Sequence, residues 1–336
     1  MDIENAIELT EYLRSTDRIG ANERISAHVL CGGVSNRTVL VQRFDGTQWV
    51  IKQALEKLRV QVDWFSSPKR IEREALGMRW LAKLVPDSVA RFVFEDPHNH
   101  LLAMEAVPQP FSTWKQVLLD GQIERELVQQ FGWLLGTIHR RSAELADEIR
   151  TLFDDRQFFE SLRLEPYYEY TSRVEPRSES FYQELIECTR RTRLTLVHGD
   201  YSPKNILVHQ QRLILIDHEV IHFGDPAFDL GFSMAHLLSK AHSLAHCRTQ
   251  LCASTIDFWL EYLHAVGSAL WIDNLEDRAV RHSLACLLAR ARGRSPLEYL
   301  DLQARDRQAS FALELIRNVP NSLAELVSRW QALCDK

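Results

Sequence analysis

Apolar and polar side chains alternate between residues 25 and 53, and Gly-Gly and Asp-Gly turn signals separate the runs. A period of two is typical of half-buried strands, so this segment predicts three strands joined by two turns. Apolar positions in residues 68–84 instead recur every three to four residues, which predicts a helix. Two further apolar runs, residues 90–96 and 100–107, predict a second hairpin. The first hundred residues therefore predict an antiparallel sheet with a helix beside it.

The apolar positions in the rest of the chain mostly follow a helical period. Residues 123–140 and 179–193 predict helices, as do several segments nearer the carboxyl end. Residues 195–219 are an exception, because short apolar runs bounded by polar turns are typical of strands. The pattern therefore predicts an α+β protein with a small β-rich lobe, residues 1–106, and a larger, mostly helical lobe, residues 107–336.

Composition narrows the range of partners. The chain has 336 residues, a formal net charge of −6 and no block rich in Lys and Arg, which disfavours nucleic-acid binding. The opening residues MDIENAIELTEYL lack the positive charge and apolar segment of a signal peptide, and no run approaches the roughly 18 apolar residues of a membrane span. The six cysteines include no CxxC pair. We expect a cytoplasmic protein with reduced thiols and no membrane or nucleic-acid partner.

The strand-rich island carries most of the candidate chemistry. One short apolar run leads to His198 and Asp200, Asn205 follows five positions after Asp200, and a second apolar run ends on Asp217. A hairpin would place Asp200, Asn205 and Asp217 at one end of a small sheet. Phosphoryl transfer requires a carboxylate that accepts or orients the proton of the acceptor hydroxyl, and oxygen ligands for magnesium. Asp200 fits the catalytic base, and Asn205 and Asp217 fit the metal ligands.

Three motifs in order resemble the aminoglycoside phosphotransferase family, which is related to choline kinases and more distantly to protein kinases. They are HGDYSPKN, beginning at His198, then LILIDHE, which contains Asp217, and GDPAFDL, which contains Asp229. The resemblance implies a bilobal protein-kinase-like fold, ATP and Mg²⁺ as cofactors, and a small-molecule hydroxyl acceptor. It also implies that Asp229 supports the catalytic loop. His198 is interpreted as a residue that organises this loop through backbone hydrogen bonds.

The resemblance requires a lysine, a partner glutamate and an adenine-binding hinge in the amino-terminal lobe. Lys52 lies in the apolar run WVIKQ, where its ammonium is expected to face the α- and β-phosphates. Glu74 is the expected partner of Lys52, and Glu72, two positions away, ranks second because it points elsewhere on the helix. By analogy with the family, the backbone from Met104 to Ala106 binds adenine.

A loop that covers the phosphates is also expected. Gly32 and Gly33, in LCGGVSN, permit a tight turn and a close approach of the backbone. Ser35 and Asn36 are candidate donors to phosphate oxygens. The assignment depends on the position of this loop, because the sequence matches neither GxGxxG nor a Walker motif.

Spacing favours a small-molecule acceptor. Only twelve positions separate Asp217 from Asp229, too few for the activation segment with which a protein kinase binds a peptide. The runs VIKQAL and RIEREAL resemble methylthioribose kinases, but the motifs around Asn205 and Asp217 differ from those of that group. The expected acceptor is a sugar, an amino alcohol or an aminoglycoside-like molecule. The alternatives are a methylthioribose-type sugar kinase and a catalytically silent nucleotide-binding or scaffold protein with the same fold.

Smaller features have two interpretations each. The acidic, tyrosine-containing segment 154–187 fits a wall for a cationic acceptor or, preferably, solvated helix faces. Lys204 contacts either the γ-phosphate or only solvent, and Glu219 is a candidate outer contact of magnesium. Histidines and cysteines between residues 236 and 252 suggest zinc, but their spacings match no common site and a surface role is favoured. ATP or GTP preference, oligomeric state and any resistance phenotype stay open.

Overall fold

A computed structural model describes residues 1–30, 33–59 and 63–336. These residues form two compact units: Met1–Pro110 with Asp217–Glu219, and Phe111–Ile216 with Val220–Lys336. The sequence analysis assigned Asp217 to the second lobe, whereas in the structure it packs with the first unit. The lobe boundary at residue 106, with its division of roles, stays a prediction. No helix in the described part of the chain is both long and apolar enough to cross a membrane.

The first unit contains a five-stranded antiparallel sheet and two helices. The strands have the spatial order β1-β2-β3-β5-β4. Their bounds are β1 Ile25–Val29, β2 Asn36–Arg43, β3 Gln48–Ala54, β4 Phe92–Asp96 and β5 Leu101–Glu105, and the helices are α1 Ala6–Ser15 and α2 Arg70–Leu84. The alternation of apolar and polar residues accounts for these strands, because it gives each strand one apolar face that the fold can bury.

The two faces of this sheet contact different helices. Ile51 of β3 belongs to a buried cluster with Leu9 and Leu13 of α1. Ala54, three positions later on the opposite face, packs in a second cluster with Ile71 and other residues of α2. Since side chains alternate along a strand, Lys52 lies on the same face as Ala54 and is directed towards α2.

The second unit is mostly helical. Its helices are α3 Trp114–Leu119, α4 Arg125–Glu144, α5 Ala146–Phe153, α6 Gln157–Phe159, α7 Tyr170–Val174, α8 Glu179–Arg191, α9 Pro226–Ser243, α10 Arg248–Val266, α11 Leu275–Arg292, α12 Leu302–Arg317 and α13 Leu323–Cys334. A π-helix occupies Glu160–Glu169 between α6 and α7. The α9 helix is buried along its whole length, which fits its largely apolar sequence.

Two small sheets hold the loops of the strand-rich island. One has the order β6-β8-β9, with β6 Ser112–Thr113, β8 Ile206–His209 and β9 Arg212–Leu215. The other pairs β7 Thr195–Val197 with β10 His222–Gly224. The loop that carries Asp200 and Asn205 therefore leaves one sheet at β7 and enters the other at β8.

The predicted fold class is confirmed: an antiparallel sheet comes first, and a mostly helical remainder with a strand-rich island follows. The predicted helix at 68–84 forms as α2, and those at 123–140 and 179–193 form as α4 and α8 with ends shifted by a few residues. The sequence analysis did not predict α1 or the π-helix. A π-helix has no periodic signature distinct from that of an α-helix, and Pro166 lies inside this one.

Candidate functional site

Lys52 makes two ion pairs within the first unit. Its Nζ lies 2.6 Å from Oε1 of Glu74 and 3.0 Å from Oδ1 of Asp217. Glu74 is fully buried in α2, whereas Glu72 is exposed on the other side of the same helix. The structure therefore brings together three residues that the sequence analysis selected separately.

Electrostatics in this group favour a charged lysine. Burial acts to lower the pKa of Lys52, but the carboxylates of Asp217 and Glu74 outweigh it and raise that pKa. Burial raises the pKa of Glu74 to about 7, and the nearby Asp217 adds to the effect. A single ammonium is thus shared by two carboxylates.

Arg70, the first residue of α2, is a buried functional candidate that the sequence analysis missed. Its guanidinium donates to the backbone carbonyls of Ser35, of Leu55 at 2.7 Å and of Ser66 at 3.0 Å. Its Nε lies 3.1 Å from Oε2 of Glu219. Arg70 therefore links the carboxylate of Glu219 to the loop that contains Ser35. Its position in the run RIEREAL carries no local signal of burial, because charged residues on helices usually face solvent.

The predicted phosphate loop is partly described. Ser35 and Asn36 are both buried, and Asn36 Nδ2 donates to Ser35 Oγ at 3.2 Å. A Cβ on Gly33 would meet only ordinary contacts, the nearest at 3.5 Å, so packing does not require glycine there. Gly32 lies outside the described residues. The two side chains predicted to donate to phosphate are therefore hydrogen-bonded to each other in this structure.

The predicted adenine hinge lies at the end of β5. Met104 is buried and pairs with Val50 in the sheet. The backbone N–H of Ala106 donates to the carbonyl of Gln48 at 2.9 Å. This N–H is already hydrogen-bonded to Gln48. A contact between a nucleotide and the backbone of Ala106 would therefore use the Ala106 carbonyl.

Three donors converge on one oxygen of Asp200 in the second unit. Oδ2 accepts from Asn205 Nδ2 at 2.7 Å and lies 2.8 Å from Arg163 Nη2 and 3.2 Å from Lys204 Nζ. Asn205 Nδ2 also donates to the Asp200 carbonyl at 3.0 Å. Asp200 is buried, and the three donors fix the orientation of its carboxylate.

Asp229 supports the loop that precedes Asp200. Its carboxylate accepts from the backbone N–H of His198 at 2.7 Å and of Gly199 at 2.8 Å. The ring of His198 accepts in turn from the backbone N–H of Asp200 at 3.2 Å through Nδ1. Gly199 has φ +76°, and a Cβ there would lie 2.9 Å from the Val220 side chain, so both conformation and space require glycine.

His139 of α4 is a second residue that the sequence analysis did not select. Its Nε2 lies 3.3 Å from Asp229 Oδ2, and its Nδ1 lies 3.0 Å from the hydroxyl of Tyr262. All three side chains are buried. They anchor the carboxylate beneath the loop, and a pattern of apolar positions cannot identify such a contact between α4, α9 and α10.

Arg163 comes from the π-helix. In addition to its contact with Asp200, its Nε donates to the carbonyl of Gly199 at 2.9 Å. It therefore holds two consecutive residues of the loop at once. No role for Arg163 was predicted from the sequence, because the π-helix has no periodic signal that distinguishes this arginine from the others in the segment.

Two acids of the segment 154–187, Glu165 and Glu169, pair with nearby arginines. Glu165 lies 3.2 Å from Arg173 and 3.0 Å from Arg294, and Glu169 lies 2.8 Å from Arg190. These pairs are partly exposed, which agrees with the preferred interpretation of this segment as solvated helix faces.

The histidines suspected of binding zinc have other partners. His242 Nε2 contacts the carbonyl of Ala304 at 2.9 Å, and His236 packs against the ring of Phe232. Within residues 1–30, 33–59 and 63–336, no group of three or more His, Cys, Asp or Glu is placed to hold a metal ion.

Comparison with known proteins assigns the family. Residues 27–254 match the model of the phosphotransferase enzyme family. The chain belongs to this phosphotransferase family. The predicted resemblance and the predicted enzyme class, a phosphotransferase, are confirmed by this membership.

Two curated relatives are similar over part of their length. Methylthioribose kinase of Geobacillus kaustophilus is 25% identical over 247 residues, which cover 66% of this chain and 62% of that protein. Protein LicA of Haemophilus influenzae is 32% identical over 113 residues, which cover 33% of this chain and 38% of that protein. The match thus spans less than two thirds of either relative.

Solved structures share the fold of this phosphotransferase. Amicoumacin kinase hAmiN, in complex with AMP-PNP, Ca²⁺ and Ami, superposes with a TM-score of 0.60 at 15% identity and covers 94% of each chain. Plasmodium vivax ethanolamine kinase superposes with a TM-score of 0.54 at 12% identity and covers 100% of this chain and 89% of the other. The kinase fold predicted from the sequence is therefore confirmed.

Proposed function

We propose that this phosphotransferase is a kinase that uses ATP and Mg²⁺ to phosphorylate a hydroxyl group of a small molecule. The observation that carries the proposal is the pair of contacts made by Lys52, to Glu74 at 2.6 Å and to Asp217 at 3.0 Å. A partly buried, charged lysine held beside a partly exposed carboxylate is the arrangement that a nucleotide phosphate and its metal ion require.

The first unit supplies groups that fit magnesium and phosphates. The carboxylates of Glu74 and Asp217 lie beside the Lys52 ammonium, and that of Glu219 pairs with Arg70, so carboxylate oxygens of the kind that magnesium prefers are gathered in this group. The Asp217 side chain is 21% exposed, whereas that of Glu74 is fully buried, so Asp217 is the carboxylate open to a metal. The proposal makes Asp217 a magnesium ligand, with Glu219 behind it, and makes Lys52 a contact of the α- and β-phosphates. Bound magnesium would neutralise phosphate charge.

The second unit supplies the proposed base. Asp200 is held through Oδ2 by Arg163, Asn205 and Lys204, an orientation suited to receiving the proton of an acceptor hydroxyl. Asn205 uses its amide nitrogen for both contacts with Asp200, so its amide oxygen is the atom that fits a magnesium ligand. Lys204, for which two roles were considered, pairs with Asp200.

The nucleotide contacts in this proposal follow the family analogy. The proposed contacts are Gly32, Gly33, Ser35, Asn36, and the backbone from Met104 to Ala106. Ser35 and Asn36 are engaged with each other. We therefore propose that the backbone of this loop and Lys52 bind the phosphates and that the Ala106 carbonyl contacts the purine.

A methylthioribose-type sugar kinase is the second candidate function. The relative at 25% identity over 247 residues, a methylthioribose kinase, favours it. A catalytically silent protein is a weaker alternative, since Lys52, Asp200, Asn205 and Asp217 are all present.

The proposed function is tested by ADP release from magnesium-ATP in the presence of different acceptors. The panel contains methylthioribose, other pentoses, choline, ethanolamine, homoserine and aminoglycosides. Asp200→Asn is expected to retain binding of magnesium-ATP and lose acceptor-dependent turnover by several orders of magnitude. Asp277→Asn, at an exposed aspartate paired with Arg281, is the matched control and should keep full activity. Equal turnover in both variants would remove Asp200 from the role of base.

A further inference from the structure

Lys240, near the carboxyl end of α9, is a buried lysine that pairs with no carboxylate of the described residues. The whole residue is inaccessible to solvent. In the described part of the chain, its ammonium makes a long hydrogen bond of 3.4 Å to the carbonyl of His236 and lies 5.3 Å from the ring of Tyr299, and it forms no ion pair. Buried charges in folded proteins are normally paired, because an unpaired one loses its hydration without compensation.

Arg290 of α11 provides a second buried cation on the same side of the unit. Its Nη1 donates to the hydroxyl of Tyr167 at 3.0 Å and to Oγ of Ser295 at 3.0 Å. Its Nε is buried and has no hydrogen-bond partner among the described residues, and the same holds for the hydroxyl of Tyr299. Two donors with no acceptor therefore accompany a lysine with no anion. We call Lys240, Arg290 and Tyr299 the Lys240 cluster.

The surroundings of the cluster are positively charged. The one carboxylate that raises the pKa of Lys240 is that of Glu298, and this group is already paired with Lys115. Burial, Lys115 and Arg290 together lower the pKa of Lys240 to about 7. Burial and the nearby Arg290 and Lys240 also lower the pKa of His236 well below its usual value. Burial is the largest cause of both shifts, and the neighbouring cations add to it.

The cluster is continuous with the proposed base. The ring centroid of Tyr167 lies 5.5 Å from the guanidinium carbon of Arg290 and 5.8 Å from that of Arg163. Arg163 in turn lies 2.8 Å from Asp200. One tyrosine thus separates the Lys240 cluster from the residue that holds Asp200, all within the second unit. These contacts connect the cluster to the proposed base through Tyr167 and Arg163.

We propose that the Lys240 cluster binds an anionic group, a phosphate or a carboxylate, of the molecule whose hydroxyl is phosphorylated. This inference rests on the proposed kinase function and specifies its acceptor. The anion accepts from the Lys240 ammonium, which makes only a long hydrogen bond, and from Arg290 Nε and the Tyr299 hydroxyl, which have no hydrogen-bond partner among the described residues. A purely cationic acceptor such as choline or ethanolamine would instead add positive charge beside Lys240.

Anion binding is tested first, independently of turnover. Thermal unfolding of the full chain is followed in inorganic phosphate, acetate or chloride at constant ionic strength, with magnesium and AMP-PNP present. Phosphate or acetate is expected to raise the midpoint above that in chloride, and Lys240→Met should abolish the rise. The anion that raises the midpoint, phosphate or acetate, identifies the chemical class of the anionic group that the cluster binds. Arg281→Gln, at a partly exposed arginine on α11, is the charge-matched control and should keep the rise.

The variant also separates a binding role from a structural one. If Lys240 exists to bind an anion, Lys240→Met removes an unpaired buried charge, and its midpoint in chloride should equal or exceed that of the wild type. Tyr299→Phe, which removes only a buried hydroxyl, should reduce the anion-dependent rise without loss of stability. A Lys240→Met protein that is destabilised in chloride and still shows the full rise would overturn the inference.

Turnover is tested with pairs of acceptors in which an anionic group replaces one terminal hydroxymethyl or hydroxyl group and the remaining hydroxyl groups are shared. Glycerol is compared with glycerate and glycerol 3-phosphate, and ribose with ribose 5-phosphate. The anionic members should be preferred, and Lys240→Met should raise their KM by at least about tenfold while leaving the neutral members unchanged. Equal use of neutral or cationic acceptors, unaffected by Lys240→Met, would reject the inference and leave the kinase function standing. A Lys240-dependent rise with phosphate or acetate, without turnover of any acceptor, would reject the kinase function and leave the anion site standing.

Discussion

The guanidinium of Arg163 lies 2.8 Å from the carboxylate of Asp200, and the same side chain donates to the carbonyl of Gly199 at 2.9 Å. The pair joins the π-helix Glu160–Glu169 to the loop after β7, and both side chains are buried. The role of Arg163 is thus to fix the orientation of the Asp200 carboxylate, the proposed base.

Arg163→Lys is expected to lower kcat by about tenfold or more and to change KM for ATP little. A lysine has one ammonium and cannot hold the carboxylate of Asp200 and the carbonyl of Gly199 in the fixed geometry of a guanidinium. Steady-state kinetics with magnesium-ATP measure both constants. Arg173→Lys, at an exposed arginine of α7, is the control. Unchanged kcat in Arg163→Lys would contradict the positioning role.

Glu74→Gln is expected to raise KM for ATP by about tenfold, because the Lys52 ammonium would lose its closest carboxylate, at 2.6 Å, and turn towards Asp217. Glu72→Gln, two positions away on the exposed face of α2, removes the same charge and should leave KM unchanged. Equal effects of the two substitutions would show that Glu74 acts only through overall charge.

Gly199→Ala is expected to destabilise the protein by roughly 2 kcal/mol or more and to reduce turnover. The residue has φ +76°, and the new Cβ would lie 2.9 Å from the Val220 side chain. Gly267→Ala is the matched control: Gly267 has φ +67°, and a Cβ there would have no described atom within 4 Å, so its substitution adds only conformational strain. Urea unfolding measures both variants, and a smaller loss in Gly199→Ala than in Gly267→Ala would be inconsistent with the described loop.

The stability difference between Lys240→Met and the wild type is expected to shrink as pH rises above about 7. The pKa of Lys240 is lowered to about 7 by burial, Lys115 and Arg290, against the opposing effect of Glu298. Between this value and the ordinary lysine pKa near 10.4, the unfolded chain binds more protons than the folded one, so the wild type gains stability relative to the variant.

The gain in stability of the wild type relative to Lys240→Met can reach at most about 1.4 kcal/mol per pH unit. It should be absent below the pKa of Lys240 in the folded protein, where the lysine is protonated in both the folded and the unfolded chain. Chemical denaturation of both proteins between neutral and alkaline pH measures it. The groups that face Lys240, namely Lys115, His236, Arg290, Glu298 and Tyr299, are present in both proteins, so their own titration largely cancels in the difference. A difference independent of pH would mean that Lys240 is paired.

Local pattern in the sequence determined the element types and the motifs. Alternation in residues 48–54 predicts β3, and the same alternation places Lys52 on one face with Ala54. Helical periodicity after Pro68 predicts that Glu72 and Glu74 point to different sides of α2. In the structure Glu74 is buried and Glu72 is exposed. The spacing within HGDYSPKN brings Asp200 and Asn205 into contact because a loop of only four residues separates them.

The tertiary structure alone decided which charged side chains are buried and what they contact. Arg70 reaches Glu219 across 149 positions, Arg163 reaches Gly199 across 36, and His139 reaches Asp229 across 90. Lys240 is left without an anion because Lys115 pairs with Glu298, 183 positions along the chain. Periodicity reports only whether a position faces the core, whereas the pairing of a charge depends on which distant elements pack beside it, and burial makes that pairing energetically decisive.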